Sequence, residues 1–285
     1  MQSVQDIQVI AVCGAGTMGA GIAQVSAAAG FRTLLFDLSE KALQQGYAQV
    51  QNNLQKAVDK GKMPQQQMTD ILSRLTLCHD IGECTADVII EAIVEKTEAK
   101  VSLFSRLTAV NTPDTIFATN TSSLSVSEIA RQIEHPARVA GMHFFNPAHL
   151  MQLVEVVRGE QTSPHVANLL YALVKEMGKT PVRVRDSPGF IVNRVARHYY
   201  LEAMEVVANG IADIAVTDRL LEAAGFRMGP FALMDLIGND VNYAVTVSLY
   251  EAFQQAPRFK PGAMQAELVA KGELGRKTGK GFYNY

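Results

Sequence analysis

The sequence carries no surplus of charge of either sign: 26 Lys and Arg stand against 28 Asp and Glu in 285 residues, a formal net charge of -2. Nucleic-acid binding, or attachment to a membrane through a polybasic surface, therefore finds no support. No apolar run approaches the ~18 residues of a membrane span. The opening MQSVQDIQVIAVCGAG also lacks a basic stretch leading into an apolar one. A soluble, cytoplasmic protein without a membrane partner is the expectation. Cysteine is scarce: Cys13, Cys78 and Cys84 are widely spaced, with neither a C-x-x-C pair nor histidines at zinc-ligand spacing. They read as reduced, small apolar residues, and no metal site is expected. Low-complexity tracts and internal repeats are lacking as well.

What is present is a large apolar complement, 48% of residues, in a chain longer than one domain usually takes. Ile7 to Cys13 is a short apolar run, Thr17 to Ala29 is rich in small helix formers, and Thr33 to Asp37 is apolar again. That is a strand, helix, strand unit. From Glu40 to Lys60, Leu43, Tyr47, Val50, Leu54 and Val58 recur three or four apart, marking a one-sided surface helix. Further short apolar runs begin at Asp87, Thr115, Arg138, Leu153 and Pro181, most of them separated by helical stretches such as Glu98 to Val110 and Pro164 to Met177. The alternation predicts an α/β fold, a doubly wound and mostly parallel sheet. After Asp186-Ser187-Pro188-Gly189 only helical spacing remains, at Ile191 to Asn209, Val216 to Ala224, Pro230 to Gly238 and Val241 to Phe253. A sheet domain over 1–187 and an all-helical domain over 188–285 are expected.

Gly14-Ala15-Gly16-Thr17-Met18-Gly19 has the spacing G-x-G-x-x-G between the first strand and the first helix. Gly14 permits the tight turn, Gly16 lets the backbone approach a pyrophosphate, and Gly19 allows close packing of helix on strand. The helix N-terminus favours the phosphate charge. The next strand ends at Asp37, 23 residues beyond Gly14, where a carboxylate accepts hydrogen bonds from the adenosine ribose hydroxyls. It also repels a 2'-phosphate, and no arginine immediately follows it, so NAD is favoured over NADP.

A second constellation is the run RVAGMHFFNP, a short strand ending in His143 before Asn146-Pro147. On pattern alone His143 is a core histidine or a functional one. Glu155, twelve residues later, shares a strand face with Leu153 and Val157, and a buried carboxylate needs a partner. Imidazole paired with carboxylate is the arrangement that fixes a histidine tautomer and stabilises the imidazolium during proton transfer. Asn120-Thr121-Ser122-Ser123 follows another apolar run, and the carboxyl ends of parallel strands are where ligands bind. The plain alternatives are a helix cap for Ser122, a role that Ser125 or Ser127 could also fill, and a polar position on the first turns of a helix for Asn193.

The glycine fingerprint, NTSS at 120–123, HFFNP at 143–147, LVEVV at 153–157, PGFIVNR at 188–194, MGPF at 228–231 and the final GRKTGKGFYNY form an ordered series. Over residues 7–285 the chain resembles the 3-hydroxyacyl-CoA dehydrogenase family, in the style of bacterial 3-hydroxybutyryl-CoA dehydrogenases and of the dehydrogenase half of phenylacetate-pathway 3-hydroxyadipyl-CoA enzymes. The resemblance implies a Rossmann-type NAD-binding domain and a helical domain that completes the substrate cleft and forms a homodimer. It makes His143 the base, Glu155 its orienting carboxylate, Ser122 a donor to the substrate oxygen and Asn193 a holder of the reacting thioester. Glu95, Lys100 and Asn120 match positions lining the nicotinamide half. Asn146 falls among the substrate-binding positions. Lys60 matches a lysine that meets the CoA phosphates, with a solvated helix-end lysine as the plain alternative, and Asn53 stands where many relatives have serine. Ala148-His149-Leu150-Met151-Gln152 departs from the common pattern of proline at 149 and lysine at 152, and His149 is not the base.

The activity implied is NAD-dependent interconversion of an (S)-3-hydroxyacyl-CoA and its 3-ketoacyl-CoA, with a short acyl chain and 3-hydroxyadipyl-CoA as the competing substrate. β-Hydroxyacid dehydrogenases acting on free acids share the fingerprint but rely on a lysine base. A non-catalytic NAD-binding protein on the same fold is the alternative from another class, since fold does not dictate function.

Overall fold

The computed structural model describes residues 3–285, which divide into two compact units, 3–187 and 188–285. The first is built on an eight-stranded sheet. Its strands are β1 (Val9–Cys13), β2 (Arg32–Phe36), β3 (Leu75–Cys78), β4 (Val88–Glu91), β5 (Ile116–Thr119), β6 (Val139–Phe144), β7 (Leu153–Arg158) and β8 (Thr180–Arg185). Their spatial order is β3-β2-β1-β4-β5-β6-β7-β8. All neighbours run parallel except β6 and β7, which are antiparallel. With the order reversing beside β1, this is the Rossmann-type doubly wound arrangement that the alternation predicts, in which ligands bind beyond the carboxyl ends of the strands.

Successive strand residues feed opposite faces of the sheet. Ile10, Val12 and Leu35 pack with residues of α1 (Thr17–Ala28), α2 (Glu40–Asp59), α3 (Gln65–Ser73) and α6 (Pro164–Glu176). Ala11, Leu34, Phe36 and Ile89 pack on the other face with α4 (Thr97–Val110) and α5 (Val126–Ala130). The edge strand β3 and the glutamine-rich α3 lie outside the elements expected from the sequence. The cysteines are free and buried, and they converge on the α4 face. Hydrogen bonding to Cys13, partly countered by the bond to Cys78 and reinforced by burial, pushes the Cys84 thiol up to about 12. At neutral pH it is a thiol, not a nucleophilic thiolate.

The second unit is helical: α7 (Val192–Ala208), α8 (Ile214–Ala223), α9 (Pro230–Ile237), α10 (Asn239–Ala252) and α11 (Ala263–Ala270). Two buried carboxylates organise it. Asp218 accepts from the amides of Phe231 and Ala232, both at 2.9 Å, at the start of α9. It also takes the Tyr283 hydroxyl at 2.8 Å. A Cβ on Gly229 would fall 2.3 Å from the Asp218 side chain, so the glycine before Pro230 is what lets the cap reach the helix. Asp235 receives the amides of Phe282 (3.0 Å) and Tyr283 (2.9 Å), tying the final segment to α9.

Candidate active site

The fingerprint loop has the shape its sequence requires. Gly14 has φ +104°, and a Cβ there would meet Ala92 O at 2.6 Å, while a Cβ on Gly19 would lie 1.6 Å from Gly14 O. Both positions are closed to side chains by neighbouring backbone. Gly16 faces open space, and with Thr17 it is exposed at the start of α1, whereas Met18 is half-buried. Asp37 accepts from the amides of Ala15 and Ser39, each at 2.9 Å, so the carboxylate that ends β2 also clamps the loop. A cavity of about 550 Å³ opens here, lined by Gly14, Gly16, Asp37, Ile93, Val94 and, from α4, Arg106. A concave space, exposed amides at a helix N-terminus and a carboxylate with lone pairs to spare fit a dinucleotide. Gly46 on α2 is a further requirement not seen from the sequence: a Cβ would meet Ala15 O at 2.6 Å. Arg106 was missed for a plain reason, because it is distant from Asp37 in the chain.

Beyond β4, Lys100 is only 1% exposed and sits between two carboxylates, 2.6 Å from Glu91 and 3.1 Å from Glu95. Its ammonium is thus turned into the fold, with its influence passing through Glu95. Glu95 Oε1 accepts from the Thr121 hydroxyl (2.6 Å), the Ser122 amide (2.9 Å), the Ser123 amide (3.1 Å) and the Ser123 hydroxyl (3.0 Å). Burial pushes the Glu95 carboxyl up, but the Lys100 charge and the Thr121 and Ser122 hydrogen bonds outweigh it and hold the group below its ordinary value. The Ser122 hydroxyl is only loosely drawn to the same oxygen, at 3.5 Å, so its proton can turn to another acceptor. The cap of α5 is Ser125, which accepts from Glu128 N; Ser122 does not serve there. Asn120 Oδ1 accepts from the amide of Phe144 at 2.8 Å and ties the end of β5 to the end of β6.

His143 and Glu155 are directly opposed across the antiparallel pair β6–β7. His143 Nδ1 lies 2.7 Å from Glu155 Oε2, with the residues 5% and 0% exposed. Because a carboxylate only accepts, Nδ1 is the donor in this contact, and the neutral form of such a ring has its lone pair on Nε2. The flanking residues Met142, Phe144, Val154 and Val156 point to the opposite core, as strand alternation demands. Gly141 makes room: a Cβ would lie 2.7 Å from Val157 and 3.0 Å from Val126 of α5. A buried imidazole held in one tautomer by a carboxylate, at the carboxyl edge of a doubly wound sheet, is equipped to take and return a proton.

The other expected residues lie on other elements of the chain. Asn146 is exposed. Asn53 is half-buried on α2 and donates to Gln24 at 3.2 Å. Lys60 is exposed at the C-cap of the same helix. Asn193 belongs to the second unit, in the first turn of α7, and its carbonyl accepts from Arg197. His149 is half-buried, and burial together with the nearby Lys179 charge lowers its pKa.

Residues 9–187 match the model for the NAD binding domain of 3-hydroxyacyl-CoA dehydrogenase, and residues 189–285 match that for its C-terminal domain. The chain belongs to the 3-hydroxyacyl-CoA dehydrogenase family. Among relatives in this family, the 3-hydroxyadipyl-CoA dehydrogenase of Escherichia coli K12 is 47% identical over 98% of this chain, which spans 59% of that protein's length. The 3-hydroxybutyryl-CoA dehydrogenase of Clostridioides difficile is 40% identical, with 97% of this chain and 99% of the relative covered. The crystal structure of (S)-3-hydroxybutyryl-CoA dehydrogenase from Ralstonia eutropha superposes with a TM-score of 0.94 at 37% identity, covering 98% of this chain and 99% of that one. That of 3-hydroxybutyryl-CoA dehydrogenase from Escherichia coli K12 gives 0.95 at 48% identity, covering 98% of this chain and 59% of that one. As in the family, the sheet unit is the NAD-binding one.

Proposed function

We propose that the chain catalyses the NAD-dependent interconversion of (S)-3-hydroxyacyl-CoA and 3-ketoacyl-CoA, with 3-hydroxybutyryl-CoA as its preferred substrate. The observation that carries this reading is the buried His143–Glu155 pair, at 2.7 Å. His143 Nε2 takes the proton of the 3-hydroxyl group, and Glu155 stabilises the imidazolium that results. Ser122 and Asn193 orient the hydroxyl and thioester oxygens, and Asn146 borders the acyl group. Asp37 holds the adenosine ribose, the amides after Gly14 and Gly16 meet the pyrophosphate, and Glu95, Lys100 and Asn120 shape the nicotinamide end. Bound NAD supplies the acceptor for the hydride leaving C3. Lys60, with Asn53 on the same helix, meets the CoA phosphates. Oxidation of NADH on mixing with acetoacetyl-CoA tests the reading directly. NAD binding without turnover on any acyl-CoA would replace it with a non-catalytic role.

A six-carbon dicarboxyl substrate is the second reading, supported by the 47% identical relative named for 3-hydroxyadipyl-CoA. Its distal carboxylate needs a cation once desolvated. Arg197 is 3% exposed and donates to Asn242 and Thr246, with no ion pair to a carboxylate among the described residues, and burial presses its pKa down to about 10. Comparing catalytic efficiency on four-carbon, six-carbon and six-carbon dicarboxyl thioesters separates the two readings. A homodimer through the helical unit completes the proposal. Phe231, Met234 and Leu249 are interior, but Leu236, Val241, Leu220 and Ile211 expose 49%, 49%, 67% and 74% of their surface. Sedimentation as a monomer at micromolar concentration would overturn it.

A further inference from the structure

We propose that Glu91 is a positioning residue that keeps the cofactor wall and the Ser122 loop in register through Lys100. It is fully buried at the end of β4, and both of its oxygens are used. Oε1 accepts from Lys100 Nζ at 2.6 Å and from the Ile93 amide at 2.7 Å. Oε2 accepts from the Thr119 hydroxyl at 2.7 Å. Ile93 lines the dinucleotide cavity, Thr119 is the last residue of β5, and Lys100 leads to Glu95 and so to residues 121–123.

The charges explain why one carboxylate does not suffice. Glu91 neutralises the buried ammonium, which leaves Glu95, 3.1 Å from Lys100, with its own charge available to the loop donors. Without Glu91, a desolvated ammonium would have Glu95 as its sole counter-ion and would draw it inward. Glu95 Oε1 would then leave the amides of Ser122 and Ser123, and the hydroxyl of Ser122 would lose its placement. The inference rests on the reading of Ser122 as a donor to the substrate oxygen.

Three variants of the full chain test it: Glu91→Gln, Lys100→Met and the double replacement. Glu91→Gln is expected to speed amide exchange at Ser122 and Ser123 in the ligand-free protein by about tenfold, to lower kcat by about tenfold to 100-fold, and to move substrate KM by less than about threefold. Adding Lys100→Met should restore part of both, because the ammonium that draws Glu95 inward is gone. Wild-type exchange and kcat in Glu91→Gln would overturn the proposal. So would a uniform rise in exchange with a lower Tm and no fall in kcat, which marks a purely structural role. If Glu91→Gln fails to fold, Thr119→Val, which removes one hydrogen bond to the same carboxylate, must show the same local loss of protection. Absence of wild-type turnover on acyl-CoA thioesters would sink the functional reading, while the exchange arm would still decide the positioning one.

Discussion

Replacing Glu155 with Gln removes a charge from the pair proposed to handle the proton while changing its volume very little. With Nδ1 and Oε2 2.7 Å apart, the charge centres of an imidazolium and a carboxylate lie about 4 Å apart, where attraction is about 4 kcal/mol at an effective dielectric constant of ~20. At 1.36 kcal/mol per factor of ten, that caps the loss in kcat near a thousandfold. The Gln carbonyl can still accept from Nδ1, which preserves the tautomer, so the expected fall is about 100-fold to 1000-fold, within the usual range of acid–base catalysis. The assay is steady-state oxidation of NADH with acetoacetyl-CoA, beside a fluorescence titration of NADH binding. Affinity for the cofactor should stay unchanged, because neither residue lines its cavity. His143→Gln should cost at least as much, and the double variant little more than His143→Gln alone, since the two side chains act as a unit. Near-normal turnover in Glu155→Gln, or a loss that resides in cofactor affinity, would refute the reasoning.

Asp37→Ala should weaken NAD and narrow its advantage over NADP, since it removes both the ribose acceptor and the repulsion of a 2'-phosphate while Arg106 stays in the cavity; KM for the two cofactors measures this. Gly46→Ala places two effects in opposition: helix propensity gains about 1 kcal/mol, but a Cβ 2.6 Å from Ala15 O pushes against backbone and costs about 1–3 kcal/mol. The net result should be lower Tm and weaker NAD binding. For Glu95, the folded carboxyl lies below its ordinary value of 4.5, so its stabilisation is present above that value and is lost as pH falls through the folded one. The Tm of wild type should therefore exceed that of Glu95→Gln at neutral pH, with the gap closing below pH 4.5; a constant gap down to acid unfolding would contradict this.

The fold class was legible because β1, α1 and β2 switch periodicity within forty residues and the glycines sit at the switch. The strand β3 was not, since Leu75–Cys78 is four residues long with an exposed Thr76, too short for alternation to register. His143 and Glu155 stood out by being polar within apolar strands. Glu91 offered the same signal inside Val88–Glu91, yet its partner is a helical lysine nine residues on, and ordinary helix periodicity conceals that Lys100 points inward. The convergence of Cys13, Cys78 and Cys84 arises from strand order, which spacing along the chain does not encode. Gly46 looks like a mild helix defect until α2 is seen against the fingerprint loop.

The reversal of direction at β7 also bears on how the His143–Glu155 pair assembles. Antiparallel neighbours can be joined by a short connection, whereas a parallel pair needs a crossover of a dozen or more residues. Residues 145–152 bridge β6 and β7, so imidazole and carboxylate are brought together by closing a loop of twelve positions. Had the two groups been separated by eight times that length, three doublings would add about 2 kcal/mol of closure entropy. The dinucleotide cavity, by contrast, draws its walls from Gly14 through Arg106 and needs β1 paired with both β2 and β4. In the proposed reading, proton transfer rests on a local antiparallel pairing and cofactor binding on strands distant in the chain, so a variant that loosens β2 should abolish dinucleotide binding while the imidazole and carboxylate remain in contact.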